Sequence, residues 1–446
     1  MLFELILTSA GLVLLNFEYL TLGLAGSFSA LVVLTLAGTE AVLGLSLAAN
    51  ASRSRSHLNL MTRSLKATSL GSIFNSYIGD SAQPSTISYM WNFGSLLAIC
   101  LVTQIISGVI LAIHYCPSID LAFSSVEHIM RDVSGGWIIR YTHANVASLF
   151  FACVYAHIAR GIYYASYKSP RIAPWSVGVV ILVFMILTAF LGYCLVIGQM
   201  SLWGATVITS ILSALPWVGG DLTELVWGGF SVSNATLNRF YALHFLFPFI
   251  LAALAMVHIV TLHKHGSGNP LGVDGSHDRL PMTPYFLFKD AVTAIFFLVV
   301  LIALVSFVPN WLGHSDNYVE ANALVTPSSI VPEWYLLPWY AVLRSVPNKL
   351  MGVLAMLIGL LILLVLPATD TNRTRGARFN PTLRIAFWFL ISTVFFLLYV
   401  GACHVAAPWV ITGQFLTVIY FGYFTVIVPL TGLCDSTFSG PDTYEA

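Results

Sequence analysis

The sequence predicts an all-α, polytopic membrane protein. Three observations carry that prediction. The chain is 58% hydrophobic and only 9% charged over 446 residues, too few charges to cover the surface of a soluble domain of this length. Apolar windows of about 20 residues, the length that crosses ~30 Å of hydrocarbon as a helix, recur from end to end. Short segments of alternating polarity, the mark of a membrane β-barrel, are missing from the pattern.

Taken in order, residues 1–52 hold two spans, near 2–20 and 26–50, and open directly into apolar sequence. With no basic lead and no small-residue cleavage site, a removed signal peptide is not expected. Residues 53–90 are a polar linker rich in Ser and Asn. Eight further spans follow, near 92–114, 137–163, 175–198, 236–262, 286–307, 348–367, 383–402 and 408–431. They divide into a four-helix region, 91–270, and a C-terminal four-helix region, 271–446. Two amphipathic stretches, "GQMSLWGATVITSILSALPWVGG" and "VTPSSIVPEWYLLPWYAVLR", are too short to cross and read as surface helices on one common side.

Charge orients the chain. Most of its 19 Lys and Arg residues, among them Arg53, Arg63, Arg160, Lys168, Lys264, Lys289 and Arg375, fall in loops on the other side. Positive-inside logic makes that side cytoplasm- or matrix-like and places both termini there. The six cysteines lack CxxC spacing, which argues against a thiolate cluster or covalently attached haem. The balanced charge argues against a nucleic-acid partner.

Histidine inside a membrane span is costly and points to function. "YTHANVASLFFACVYAHIARG" carries His143 and His157, and "FYALHFLFPFILAALAMVHIVTLHKHG" carries His244 and His258, each pair fourteen residues apart. Fourteen residues advance ~21 Å and return to nearly the same helix face. The two spans run in the same direction, so His143 is expected to meet His244 and His157 to meet His258. Two stacked bis-imidazole sites without Cys or carboxylate suit haem iron better than zinc or a di-iron centre. Gly94 and Gly108, and Gly178 and Gly192, repeat the same interval in the neighbouring spans. Glycine there admits a flat macrocycle or, equally, a closely packed helix. Arg140 and Arg239 precede the first histidines and suit either haem propionates or interfacial anchoring.

The chain from about residue 75 onward resembles the cytochrome b family of respiratory complex III, the quinol–cytochrome c oxidoreductase. "WNFGSLLAICLVTQIISGVILAIHY", "GQMSLWGATVITS", "PEWYLLPWYAVLRS" and "FNPTLR" carry the resemblance. It implies an eight-helix core containing a two-haem four-helix bundle, with His143 and His244 on a lower-potential haem at the proton-receiving side and His157 and His258 on a higher-potential haem at the other. Both are non-covalent b-type haems. By the same resemblance, Glu333, Tyr340 and Gly198 line a pocket that oxidises quinol (ubiquinol). Glu333 alone also fits a helix-dipole role. His263 and Asp290, with Asn92 and Ser95, would hold ubiquinone for reduction near the matrix. The implied partners are a Rieske iron–sulfur protein and cytochrome c1 in a dimeric complex of the mitochondrial inner membrane. The implied reaction passes electrons between the haems and moves protons across the membrane. Val196 and Ile197 depart from the family's Pro-Trp, and Leu202 stands where an aromatic is common.

Residues 1–52 resemble instead the last two spans of the smallest membrane subunit of complex I, the NADH–quinone oxidoreductase, with Glu4 and Glu40 at its intramembrane glutamates. A fused remnant and a retained proton-pathway segment are the two readings. Competing classes for the whole chain are a proton-relay transporter and a di-haem quinone-reactive anchor of a dehydrogenase.

Overall fold

Helices dominate because runs of Leu, Val, Ile and Phe leave the backbone no partner in lipid except itself. A computed structural model describes residue 68, residues 71–72 and residues 75–438. The two expected N-terminal spans, with Glu4 and Glu40, lie outside the described residues. In chain order the α-helices are α1 (Phe93–His114), α2 (Ala122–Arg131), α3 (Gly136–Tyr163), α4 (Ile172–Cys194), α5 (Gln199–Ser210), α6 (Gly219–Trp227) and α7 (Asn234–His263). They continue as α8 (Leu287–Phe307), α9 (Leu337–Ser345), α10 (Lys349–Leu361), α11 (Leu366–Thr369), α12 (Pro381–Ala402), α13 (Trp409–Gly422) and α14 (Val428–Phe438). Eight helical stretches among the described residues are long and apolar enough to cross a membrane.

The helix ends follow local chemistry. Ser233 and Thr236 form a reciprocal capping box at the start of α7, satisfying two donors that the first turn leaves open. Asn348 and Asn380 accept from Met351 and Leu383 to cap α10 and α12, and Pro381 opens α12 where a missing N–H costs nothing.

Contacts divide the described chain into two units. One comprises the residues up to Ile99 with Asp274–Pro309, and the other Cys100–Val273 with the residues from Asn310 on. In the first, β1 (Ala82–Pro84) pairs antiparallel with β2 (Arg279–Pro281), setting Ala82 opposite Pro281 and Pro84 opposite Arg279. In the second, α4 packs along α7, and α9 packs among α10, α12 and α13.

Three local expectations change. The third expected span, near 175–198, ends as helix at Cys194, because Ile197 takes a left-handed backbone with φ of 51° that a β-branched residue adopts only in a turn. The second amphipathic stretch is not a surface helix. Leu337, Pro338, Ala341, Val342 and Ser345 of α9 are buried, since its apolar residues find neighbours on more than one side. Between the first two spans an additional helix, α2, buries Ala122 and Ile129 and carries the pairs Glu127–Arg131 and His128–Asp132 on its exposed face.

Candidate haem and quinone sites

The four expected histidines come together in two pairs. His143 of α3 and His244 of α7 have ring centroids 6.3 Å apart and nearly perpendicular planes. His157 and His258, on the same two helices, stand 6.4 Å apart at 59°. A metal ion between two imidazoles needs about 2 Å to each nitrogen and about 1 Å more to each ring centre, ~6 Å in all. Both pairs leave that gap.

Backbone and side-chain partners aim the rings. His143 Nδ1 lies 2.9 Å from the Ser107 hydroxyl, and His244 Nδ1 lies 2.9 Å from the Thr188 carbonyl oxygen. His157 Nδ1 lies 3.2 Å from the Arg160 guanidinium. Engaging Nδ1 orients the ring and leaves Nε2 for a ligand. No group of three or more His, Cys, Asp or Glu side chains suited to a metal ion occurs among the described residues. The donor set is therefore two imidazoles per site, which fits a haem iron whose macrocycle supplies the other four ligands.

The glycines lie against these rings. A Cβ at Gly108 would stand 3.2 Å from His143 Cε1, one at Gly178 would stand 3.3 Å from His258 Cε1, and one at Gly192 would collide with the His244 ring. Gly94 sits in the first turn of α1. Pro248 lies inside α7, four residues after His244, so the His244 carbonyl loses its normal helical donor. Arg239 donates to the Leu225 and Val226 carbonyls at the end of α6, where a cation complements the helix dipole.

A second assembly forms around Glu333. It precedes a 3-10 turn, Trp334–Leu336, that leads into α9, and its side chain makes no capping bond. Trp334 is tied to Ser148 of α3 at 3.2 Å. Burial pushes the Glu333 carboxyl up to about 7, opposed by the neighbouring Tyr193 hydroxyl and Arg140 guanidinium. Tyr318, 48% exposed, lies within electrostatic reach of Arg140 and Glu333. Tyr340, expected beside Glu333, donates its hydroxyl to the Ile330 carbonyl at 3.2 Å and lies under the Arg344 guanidinium at 4.5 Å. Gly198 approaches Asn317 so closely that a Cβ would collide with its backbone oxygen. Tyr193 and Tyr318 escape sequence reasoning: nothing in their local pattern marks them, and only folding brings them to Glu333.

In the first unit, Asn92 is buried and donates to the Lys289 carbonyl at 2.9 Å and to the Thr293 hydroxyl at 3.1 Å. Ser95 donates to the Asn92 carbonyl at 2.8 Å and lies beside the Asp290 carboxylate. His263 closes α7 in the second unit.

Comparison with known proteins agrees with this architecture. The family model "Cytochrome b/b6/petB" matches residues 78–266, and "Cytochrome b(C-terminal)/b6/petD" matches residues 320–421. Cytochrome b of Schizophyllum commune is 61% identical over 375 residues, covering 84% of this chain and 98% of the relative. Cytochrome b of Mycosarcoma maydis is 60% identical, with coverages of 84% and 95%. A chain of a solved structure titled "Hyperthermophilic respiratory Complex III" superposes with a TM-score of 0.78 at 32% identity, covering 83% of this chain and 98% of that one. A bundle with two imidazole pairs, matched along most of its length by these relatives, belongs to the cytochrome b family.

Proposed function

We propose that this chain is the di-haem subunit of a quinol–cytochrome c oxidoreductase, complex III, in the mitochondrial inner membrane. It oxidises quinol at the Glu333 side, reduces quinone at the Asp290 side and couples the two to proton translocation. The observation that carries this reading is the pair of imidazole couples at 6.3 and 6.4 Å. Each spacing leaves room for one haem iron between the two rings. His143 and His244 would hold one b-type haem, and His157 and His258 the other. Each haem, when bound, supplies reversible one-electron transfer.

The chain's own residues provide the rest. Ser107 and the Thr188 carbonyl orient the first imidazole pair, and Arg160 steadies His157. Glu333, buried and half-ionised near neutrality, takes a proton from the quinol hydroxyl and releases it when its own charge is restored. Tyr193 and Arg140 stabilise the ionised carboxylate. At the second site Asp290, steadied by Ser95 beside Asn92, delivers a proton to a quinone carbonyl. This chain offers no Fe–S cysteine pattern, so the first electron acceptor is a partner subunit. The Rieske iron–sulfur protein fills that role, alongside cytochrome c1 in a dimeric complex. Fungal relatives at 60–61% identity support the mitochondrial setting.

A redox-titrated visible spectrum of the purified complex tests this. Two b-type haems of distinct potential are expected, and His258→Leu should abolish one while the other keeps its spectrum. Absence of haem, or survival of both in the variant, would overturn the assignment.

A further inference from the structure

The loop from Asn310 to Glu333 is fastened to the elbow between α4 and α5 by an unusually complete set of polar contacts. Gly198 faces Glu320 in an isolated antiparallel bridge. Gln199 N–H donates to the Val319 carbonyl at 2.9 Å, and Ala321 N–H to the Ile197 carbonyl at 3.1 Å. Gln199 also clamps the loop with both ends of its side chain. Its Oε1 accepts from Asn322 N–H at 2.8 Å, and its Nε2 donates to the Val325 carbonyl at 3.0 Å. Asn317 Oδ1 accepts from Ser201 N–H at 2.9 Å and lies 2.9 Å from the Ser201 hydroxyl. That hydroxyl, fully buried, is also 2.6 Å from the Tyr193 carbonyl oxygen. A buried amide satisfied at both ends, as Gln199 is, specifies one geometry, because any other leaves polar groups dry and unpaired.

The two sides of this latch both reach Glu333. Tyr193, whose carbonyl Ser201 holds, keeps a buried hydroxyl in the neighbourhood of the carboxyl. Tyr318, the residue after Asn317, faces Glu333 and Arg140 and donates its own hydroxyl to Asn310 Oδ1 at 2.7 Å. We propose that Asn317, acting with Ser201 and Gln199, is a positioning residue for quinol oxidation: it holds Tyr193 and Tyr318 against Glu333 and keeps water from the carboxyl. This rests on Glu333 being the proton acceptor of that reaction. The groups facing Glu333 are Tyr193, Arg140, Tyr318 and Tyr335. Burial is the largest influence on its protonation, so opening the latch admits water and lets the carboxyl ionise at lower pH.

The test is the pH profile of kcat/KM for quinol oxidation in the assembled complex, from about pH 5 to 9, for the parent, Asn317→Ala, Ser201→Ala and Glu333→Gln. The haem spectrum serves as the check on assembly. Asn317→Ala should keep both haems and move the rising limb to lower pH by about one unit. Ser201→Ala should move it the same way by less. Reduced turnover with an unmoved limb would make Asn317 a structural residue only and overturn the proposal. Should Asn317→Ala fail to assemble, Ser201→Ala decides by the same criterion. A limb that survives Glu333→Gln rejects both the acceptor role and the latch; one that Glu333→Gln removes and that neither Asn317→Ala nor Ser201→Ala moves rejects the latch alone.

Discussion

Glu333 shows how one side chain inherits its chemistry from its surroundings. Its backbone is extended, with ψ of 152°, and Leu336 N–H closes the following turn on its carbonyl at 2.9 Å. The side chain therefore leaves the turn toward Tyr193 and Arg140 instead of capping the helix. With burial holding the carboxyl near 7, the group is neutral below that pH and ionised above it. As the proposed proton acceptor, Glu333 must be ionised, so quinol oxidation should rise with pH through about 7. Glu333→Gln should flatten that limb and slow turnover by about 100-fold or more, measured as steady-state quinol oxidation. Glu333→Asp should keep the limb at reduced rate. Pro332-Glu333-Trp334-Tyr335 is legible as a motif, and Glu333 with it. Its partners Tyr193 and Tyr318 are not, because proximity between residues so far apart in sequence is a property of the folded chain.

Among the elements, α3 and α7 bear the imidazoles while α1 and α4 bear the glycines that face them. The fourteen-residue interval is visible in sequence because helix geometry converts it directly into a shared face. How tightly each glycine is approached is not visible, and the structure ranks them: Gly192 has less room than Gly108 or Gly178. Gly192→Val should displace His244 and remove the haem of the His143–His244 pair, leaving the other haem in the visible spectrum. Gly178→Ala, whose Cβ would stand a tight 3.3 Å from His258 Cε1, should weaken haem retention without abolishing it. Helix centres follow hydropathy, yet the end of α4 does not. Residues 195–198 are as apolar as the span before them, and the turn at Ile197 arises where the chain pairs with the loop at 319–321. α2 is missed for a related reason: ten residues of mixed polarity carry too little pattern to stand out.

In the molecule as a whole, one polar cluster ties distant segments of the second unit. Asp370, with a side chain fully buried, accepts from the Tyr167 hydroxyl at 2.6 Å and pairs with Lys168 at 3.1 Å. Asn372 donates to the same carboxylate at 2.8 Å and to Thr431 at 3.0 Å, and Asn380, the cap of α12, donates to Asn372. The connection between α3 and α4, the start of α12 and α14 thereby share one network. Asp370→Ala leaves the Lys168 ammonium, 14% exposed, with the Asn372 carbonyl but no carboxylate, and should cost about 3 kcal/mol, read as a lower midpoint in thermal or denaturant unfolding of the complex. A midpoint unchanged from the parent would show the network to be dispensable. The sequence by itself determined the class of the molecule, the eight spans, the two histidine pairs and the family, because hydropathy and helical periodicity are local and repeat along the chain. The tertiary structure decided the division into units, the burial of α9, the helix-capping contacts of Arg239, and the company of Glu333. Those depend on contacts between segments that no local pattern encodes, and in a low-dielectric interior such contacts govern when a carboxyl ionises.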